Sequence, residues 1–319
     1  MIKTLLLAGG VGGARFLRGL SAALPPDQLD VIVNTADDDT FHGLHVSPDV
    51  DTLLYTLAGK VDRTQGWGLR GDRFDTMDAL AAFGEDVWFR LGNQDLATHL
   101  FRTAALQRGE SLTEVTRRQR EALGVSMRIR PMSDDRVRTI IHTPKGKLAF
   151  QEYLVRDRAR SDVLKITYAG IRAAKPAPGI LETIARADLI LIAPSNPFVS
   201  IGPILALPGV RGAMRKTRAP IIGVSPLIGG RTVKGPADRM MRGLGFAASP
   251  SGLVSIYKGL LDGLLLDQKD QQHQRGLVAD GLAVACLPIL MNTAAKSRHV
   301  AKAALSMAAA LRSQPRKAV

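Results

Sequence analysis

Residues 4–20 read TLLLAGGVGGARFLRGL, and the order of residue types in them sets the fold class. Thr4–Ala8 is an unbroken apolar run closed by glycines, the pattern of a parallel strand buried on both faces. From Ala14 to Leu24 the residues Phe16, Leu17, Leu20 and Leu24 share one side of a helix. Val31–Val33 is a second short apolar run, ending at Asn34. Strand, glycine turn, helix and strand make a βαβ unit, whose crossover is right-handed.

The pattern continues outward from that unit. Leu189–Ala193 and Pro220–Val224 read as further buried strands, and Gly179–Ala187, Val254–Leu264 and Thr293–Leu311 as helices. Arg138–Thr143 and Lys147–Val155 flank Pro144-Lys145-Gly146 and read as a hairpin. Thr76–Gly84 and Gln94–Leu123 are helical in composition. The expected architecture is a single α/β domain over 1–319. It has a Rossmann-like, mostly parallel sheet with helices on both faces and a mainly helical insertion around 75–130.

Composition narrows the partners. The formal net charge of +14 favours anionic ligands. Aromatic residues make up only 5% of the 319, so stacking platforms for a nucleic-acid strand are few. The Lys and Arg residues are dispersed, and the one compact basic cluster is the tail Arg312–Arg316–Lys317, where a chain end is expected to fray. Phosphorylated small molecules are therefore the expected partners, with no nucleic acid and no membrane. The single cysteine, Cys286, lies in the apolar run Leu282–Met291, reads as a core residue and fits a reducing compartment. The apolar start Leu5–Ala8 is too short for a secretory signal, and no run of about eighteen apolar residues exists. A cytoplasmic protein is expected.

Four segments carry chemistry. Gly9, Gly10, Gly12 and Gly13 stand between a strand and a helix, where backbone N–H groups and the helix dipole receive phosphate, and Arg15 adds a full charge. Arg15 also stands where a dinucleotide fingerprint would have its third glycine. Asp37, Asp38 and Asp39 follow the second strand, with Asp49 and Asp51 beyond. Carboxylates beside phosphates imply a divalent cation, for which Mg²⁺ is the natural choice. A single Asp on a ribose hydroxyl is the competing reading. Ser195 and Asn196 sit between prolines after a strand, and Gly229, Gly230, Arg231 and Lys234 after another, where they can meet a second phosphate. The histidines show no metal-ligand spacing, and no Ser-His-Asp order or Walker lysine is present.

At these residues the sequence resembles the 2-phospho-L-lactate transferase family of coenzyme F420 biosynthesis. The matching stretches are LAGGVGGARFLRGL (7–20), VNTADDDTFHGLHVSPDVDTLLYTLAG (33–59), GWGLRGDRF (66–74), WFRLGNQDLATH (88–99), PMSDD (131–135), FQEYLV (150–155), APSNPFVSIGPIL (193–205) and SPLIGGRTVKGPADRMM (225–241). They cover about three quarters of the chain in consistent order. The resemblance implies transfer of a phospho-three-carbon-acid group from its guanosine-diphosphate ester to the ribityl hydroxyl of the deazaflavin Fo, with GMP leaving. The acid can be 2-phospholactate, phosphoenolpyruvate or 3-phosphoglycerate. It also implies Mg²⁺ held among Asp37, Asp38, Asp49 and Asp51, and a homodimer; among those carboxylates Asp37 and Asp49 are expected to lead. Fo is expected near Asp51, Trp67, Asp95 and His99. One departure is Asn93, where the family commonly has a carboxylate; Asp95 and His99 are kept.

Three other classes compete. A non-catalytic nucleotide-sugar-binding regulator of the same superfamily would share the first glycine turn but carry a Gly-Ser-rich stretch where this chain has Asp38-Asp39-Thr40-Phe41-His42-Gly43. A nicotinamide dehydrogenase would want the third glycine and a lone acid after the second strand. A nucleic-acid binder would rest on net charge alone.

Overall fold

A computed structural model describes residues 2–312. The expected basic tail, apart from Arg312, lies outside the described residues. Seven strands form one parallel sheet: β1 (Thr4–Ala8), β2 (Leu29–Val33), β3 (Arg128–Pro131), β4 (Leu189–Ile192), β5 (Ile221–Val224), β6 (Gly263–Leu266) and β7 (Ala283–Cys286). Their spatial order is β7-β6-β5-β4-β1-β2-β3. Register runs Thr4↔Leu29 on one side of β1 and Thr4↔Leu189 on the other. The chain builds outward from β1 to β3, then crosses back and builds outward the other way. The order reverses between β1 and β4, and the crevice at the carboxyl ends of that pair is where such sheets bind ligands.

Alternation along β1 splits the core into two layers. Leu5 and Leu7 face one layer with Ile32, Ile190 and Ile192, while Leu6 and Ala8 face the other with Val31 and Val33. All of these are fully or almost fully buried, as a sheet covered on both faces requires. Helix α1 (Gly10–Ser21) packs against the helix Ala294–Arg312. Gly19 permits that approach, because a Cβ there would strike the Ser297 carbonyl, and Arg18 donates to Ser297 Oγ at 3.0 Å.

Several elements depart from the sequence-based expectation. Helix α1 begins at Gly10, so the glycines are its first turn and not a loop before it. An unexpected hairpin, Asp39–Phe41 with Leu44–Val46, and helix α2 (Pro48–Leu57) follow β2. After α3 (Asp75–Ala82), the expected long helix is two, α4 (Asn93–Gln107) and α5 (Leu112–Ala122). Gly109 turns the chain with φ +87, and the Ser111 hydroxyl caps α5 by accepting from Glu114 N. The strand after Gly146 stops at Ala149, where a wide helical turn over Glu152–Arg156 buries Tyr153. Within Val254–Leu264, the helix ends at Ile256, and the rest turns into β6. Cys286 is half-buried on edge strand β7. Among the described residues no helix is long and apolar enough to cross a membrane.

Candidate active site

A cavity of about 630 Å³ opens at the β1/β4 crevice, a size suited to a nucleotide-sized ligand. Its floor is the first turn of α1. Gly9 is extended and Gly10 takes φ +63. A Cβ on Gly9 would strike the Asp49 carboxylate and Ser200, and one on Gly12 would strike the Pro194 carbonyl. The glycines therefore let the 194–200 segment and the start of α2 close onto the helix terminus. Ser195 Oγ donates to Gly9 O at 2.7 Å and accepts from Gly9 N at 3.3 Å, which joins the two loops. Val11, Gly12 and Arg15 line the cavity, and first-turn N–H groups have no partner within a helix.

The acidic group separates by environment. Asp49 Oδ1 accepts from Gly10 N at 2.7 Å and Oδ2 from Asn34 Nδ2 at 3.0 Å. Burial pushes Asp49 up to about 6, although the Asn34 and Gly10 hydrogen bonds oppose it. Asp37 lines the same cavity, and its Oδ1 is buried without a hydrogen-bond partner. Burial, then the neighbouring Asp49 and Asp38 charges, raise Asp37 well above the usual carboxylate range. Asp38 turns inward to Ser47 Oγ at 2.5 Å and His45 Nε2 at 3.2 Å. Asp39 lies 3.5 Å from Arg136 and 3.3 Å from Arg138.

Buried carboxylates that repel one another call for a cation. Among the described residues no three His, Cys, Asp or Glu side chains are arranged to hold a metal by themselves. Mg²⁺ does not need such a cage, since it takes one or two carboxylates and completes its shell with water and substrate phosphates. Asp37 with its orphaned oxygen and Asp49 beside it fit that ion.

Asp51 has a different partner. The guanidinium of Arg102, fully buried, grips both its oxygens and also donates to Gln119 Oε1 at 3.2 Å. Tyr55, one turn along α2, donates to Asp95 Oδ1 at 2.5 Å, and His99 Nε2 lies 3.3 Å from Asp95 Oδ2. Asp51, Tyr55, Asp95 and His99 all line the cavity, together with Trp67, Trp88 and Phe89. Trp67 is 44% exposed, leaving an aromatic face open. Asn93 lies outside this group, bonded to Asp75 and to Thr76 N.

The basic side is supplied by Arg15 and Lys234. Burial and the Arg15 charge lower the Lys234 ammonium, with Asp62 opposing, as two cations facing a shared anion site would do. Asn196 lines the cavity but uses its Oδ1 to accept from Phe198 N at 3.0 Å, stiffening its turn. Gly229 and Gly230 are placed elsewhere. Their N–H groups donate to Asp270 at 2.9 and 3.1 Å, so a carboxylate of the chain itself occupies the anion nest expected for phosphate. Reading the sequence missed Asn34, Tyr55, Ser200 and Arg102. Asn34 and Ser200 fell inside segments the sequence singled out, but nothing in local order gave either a partner.

Fold and site together define an α/β protein in which a cavity at the switch point of a parallel sheet is lined by a helix N-terminus and paired carboxylates. Residues 4–284 match the model of the 2-phospho-L-lactate transferase CofD family, and the chain belongs to that family, whose members transfer a phospho-three-carbon acid in coenzyme F420 biosynthesis. It is 44% identical to a phosphoenolpyruvate transferase of Kitasatospora aureofaciens, over 98% of this chain and 99% of that one. It is 37% identical to a 2-phospho-L-lactate transferase of Methanococcoides burtonii, over 95% and 98%. A crystal structure from Bacillus halodurans shares the fold, with a TM-score of 0.65 at 17% identity, over 96% of this chain and all of that one.

Proposed function

We propose that this chain moves a phospho-three-carbon-acid group from its guanosine-diphosphate ester to the terminal ribityl hydroxyl of Fo, releasing GMP, and that phosphoenolpyruvate is the favoured acid. The observation that carries the reading is the pairing of Asp37 and Asp49 against the α1 N-terminus, with Arg15 and Lys234 lining the same cavity. Phosphoryl transfer asks a protein for positioning and charge neutralisation more than for a nucleophile of its own. The first turn of α1 and the two cations hold the diphosphate. Asp37 and Asp49 hold Mg²⁺, with Asp38 behind them; once bound, the ion offsets negative charge on the phosphates. Asp51 is left out of that set because Arg102 holds it. Trp67 and the Asp95–His99 end receive Fo. The preference for phosphoenolpyruvate rests on relatives of that name at 44% and 41% identity. A homodimer, implied by the family resemblance, belongs to the same proposal and is checked by sedimentation.

The test is incubation of the protein with Fo, Mg²⁺ and each guanylylated acid in turn, following phosphodiester and GMP by mass. Fastest turnover with the phosphoenolpyruvyl donor is expected. Tight nucleotide-sugar binding without product from any donor would favour the non-catalytic regulator.

A further inference from the structure

The far end of the cavity holds a carboxylate whose surroundings are arranged for one purpose. Asp95 stands in the first turn of α4, where the Asp72 carboxylate accepts from Gln94 N at 2.9 Å and Asp95 N at 3.0 Å and so fixes the turn. The side chain is 15% exposed, opening onto the cavity. Tyr55 can only donate to a carboxylate, so its proton points at Asp95 Oδ1. Burial and the Asp51 and Asp95 charges push the Tyr55 phenol up, which keeps that proton in place.

His99 is set just as firmly. Arg102 Nη1 lies 3.2 Å from His99 Nδ1, and a guanidinium has no lone pair to offer. Nδ1 can accept from it, and Asp51 Oδ2 lies 3.8 Å from the same nitrogen. Nε2 lies 3.3 Å from Asp95 Oδ2, within ion-pair reach, and is buried without a hydrogen-bond partner. Arg102, itself locked on Asp51, thus holds the His99 ring beside Asp95. The charged and titratable groups around Asp95 are Asp51 and Tyr55 on α2, Asp72 before α3, and His99 and Arg102 on α4.

Helix α2 ties this end to the phosphate end. Asp49 near its start meets Gly10, and Tyr55 near its finish meets Asp95. The two are about 9 Å apart along the helix axis, on the wall of one cavity. A carboxylate with a fixed tyrosine donor behind it, an imidazole beside it and an opening toward the cavity resembles the aspartate that receives a substrate hydroxyl proton in kinases.

Resting on the transferase reading above, we propose that Asp95 accepts the proton of the attacking primary hydroxyl, held for that task by Tyr55 and flanked by His99, whose ring Arg102 fixes in place. The hydroxyl oxygen forms a bond to the phosphorus that carries the acid. The bond from that phosphorus to the bridging oxygen breaks, and GMP leaves with the electron pair. The proton passes to the Asp95 carboxylate and then to solvent, so no further reactant is needed.

The experiment compares wild type with Asp95→Asn and Tyr55→Phe at saturating Mg²⁺ and donor, varying Fo. Asp95→Asn is expected to lower kcat by about 10²–10⁴-fold, with KM for Fo within threefold and donor affinity, measured by calorimetry, unchanged. Tyr55→Phe is expected to lower kcat by about tenfold, the equivalent of one hydrogen bond. A kcat for Asp95→Asn within threefold of wild type, or a loss confined to KM, overturns the assignment. If Asp95→Asn does not fold, an unchanged kcat in folded Tyr55→Phe overturns it instead. Wild type inactive with every donor would sink the transferase reading itself, a result distinct from either.

Discussion

At the scale of single residues, Asp49 carries the most constrained chemistry. It is buried, bonded to Gly10 and Asn34, and raised to about 6 from an ordinary value of about 4. A carboxyl whose folded value is raised stabilises the fold below its unfolded value and loses that contribution as pH rises through the folded one. In EDTA, wild type should therefore lose stability relative to Asp49→Asn between about pH 4 and about pH 6, read by urea melts. Saturating Mg²⁺ should reverse that trend in wild type only. The same variant should lose at least about 10²-fold in kcat with a raised Mg²⁺ requirement; ordinary metal dependence would remove Asp49 from the proposed ligands. Gly12 makes a steric claim. Gly12→Ala drives a methyl group into the Pro194 carbonyl and should cost about 1–3 kcal/mol, measured by the same melts.

At the scale of elements, α2 organises the site, and the sequence reading did not see it as a helix. Ser47-Pro48 is a fair helix start, but Asp49 and Asp51 drew attention as ligands, and eight of the helix's ten residues are buried, so the stretch has no polar face to reveal its period. The division of the long α4–α5 stretch was readable: Gly109 and the Ser111-x-x-Glu114 box mark it. The Asp51–Arg102 pair between α2 and α4 gives a prediction of its own. Arg102→Met strands a buried carboxylate and should cost about 3–5 kcal/mol. Asp51→Leu with Arg102→Met should recover much of that loss in a double-mutant cycle, and its failure to do so would place the loss in Gln119 and His99 instead.

At the scale of the whole molecule, the doubly wound order brings Gly9 and Ser195 together across 186 residues of sequence. The net charge of +14 acts at this scale too, and it steers anions without specifying one. Affinity for random duplex DNA should therefore collapse between about 50 and 200 mM salt; micromolar binding surviving at the upper end in fluorescence anisotropy would restore a nucleic-acid partner. The first βαβ unit, β4, β5, the family motifs and the cavity-lining Gly9, Gly10, Gly12, Arg15, Asp37 and Asp49 were legible because each depends on local order: an apolar run, a glycine turn, an acid after a strand. Local order could not say that Gly229 and Gly230 already hold Asp270, that Asp51 belongs to Arg102, or that Arg102 sets the His99 ring beside Asp95. Those are pairings between segments far apart in the chain, and a side chain's partner is chosen by which strands and helices the packed core sets side by side.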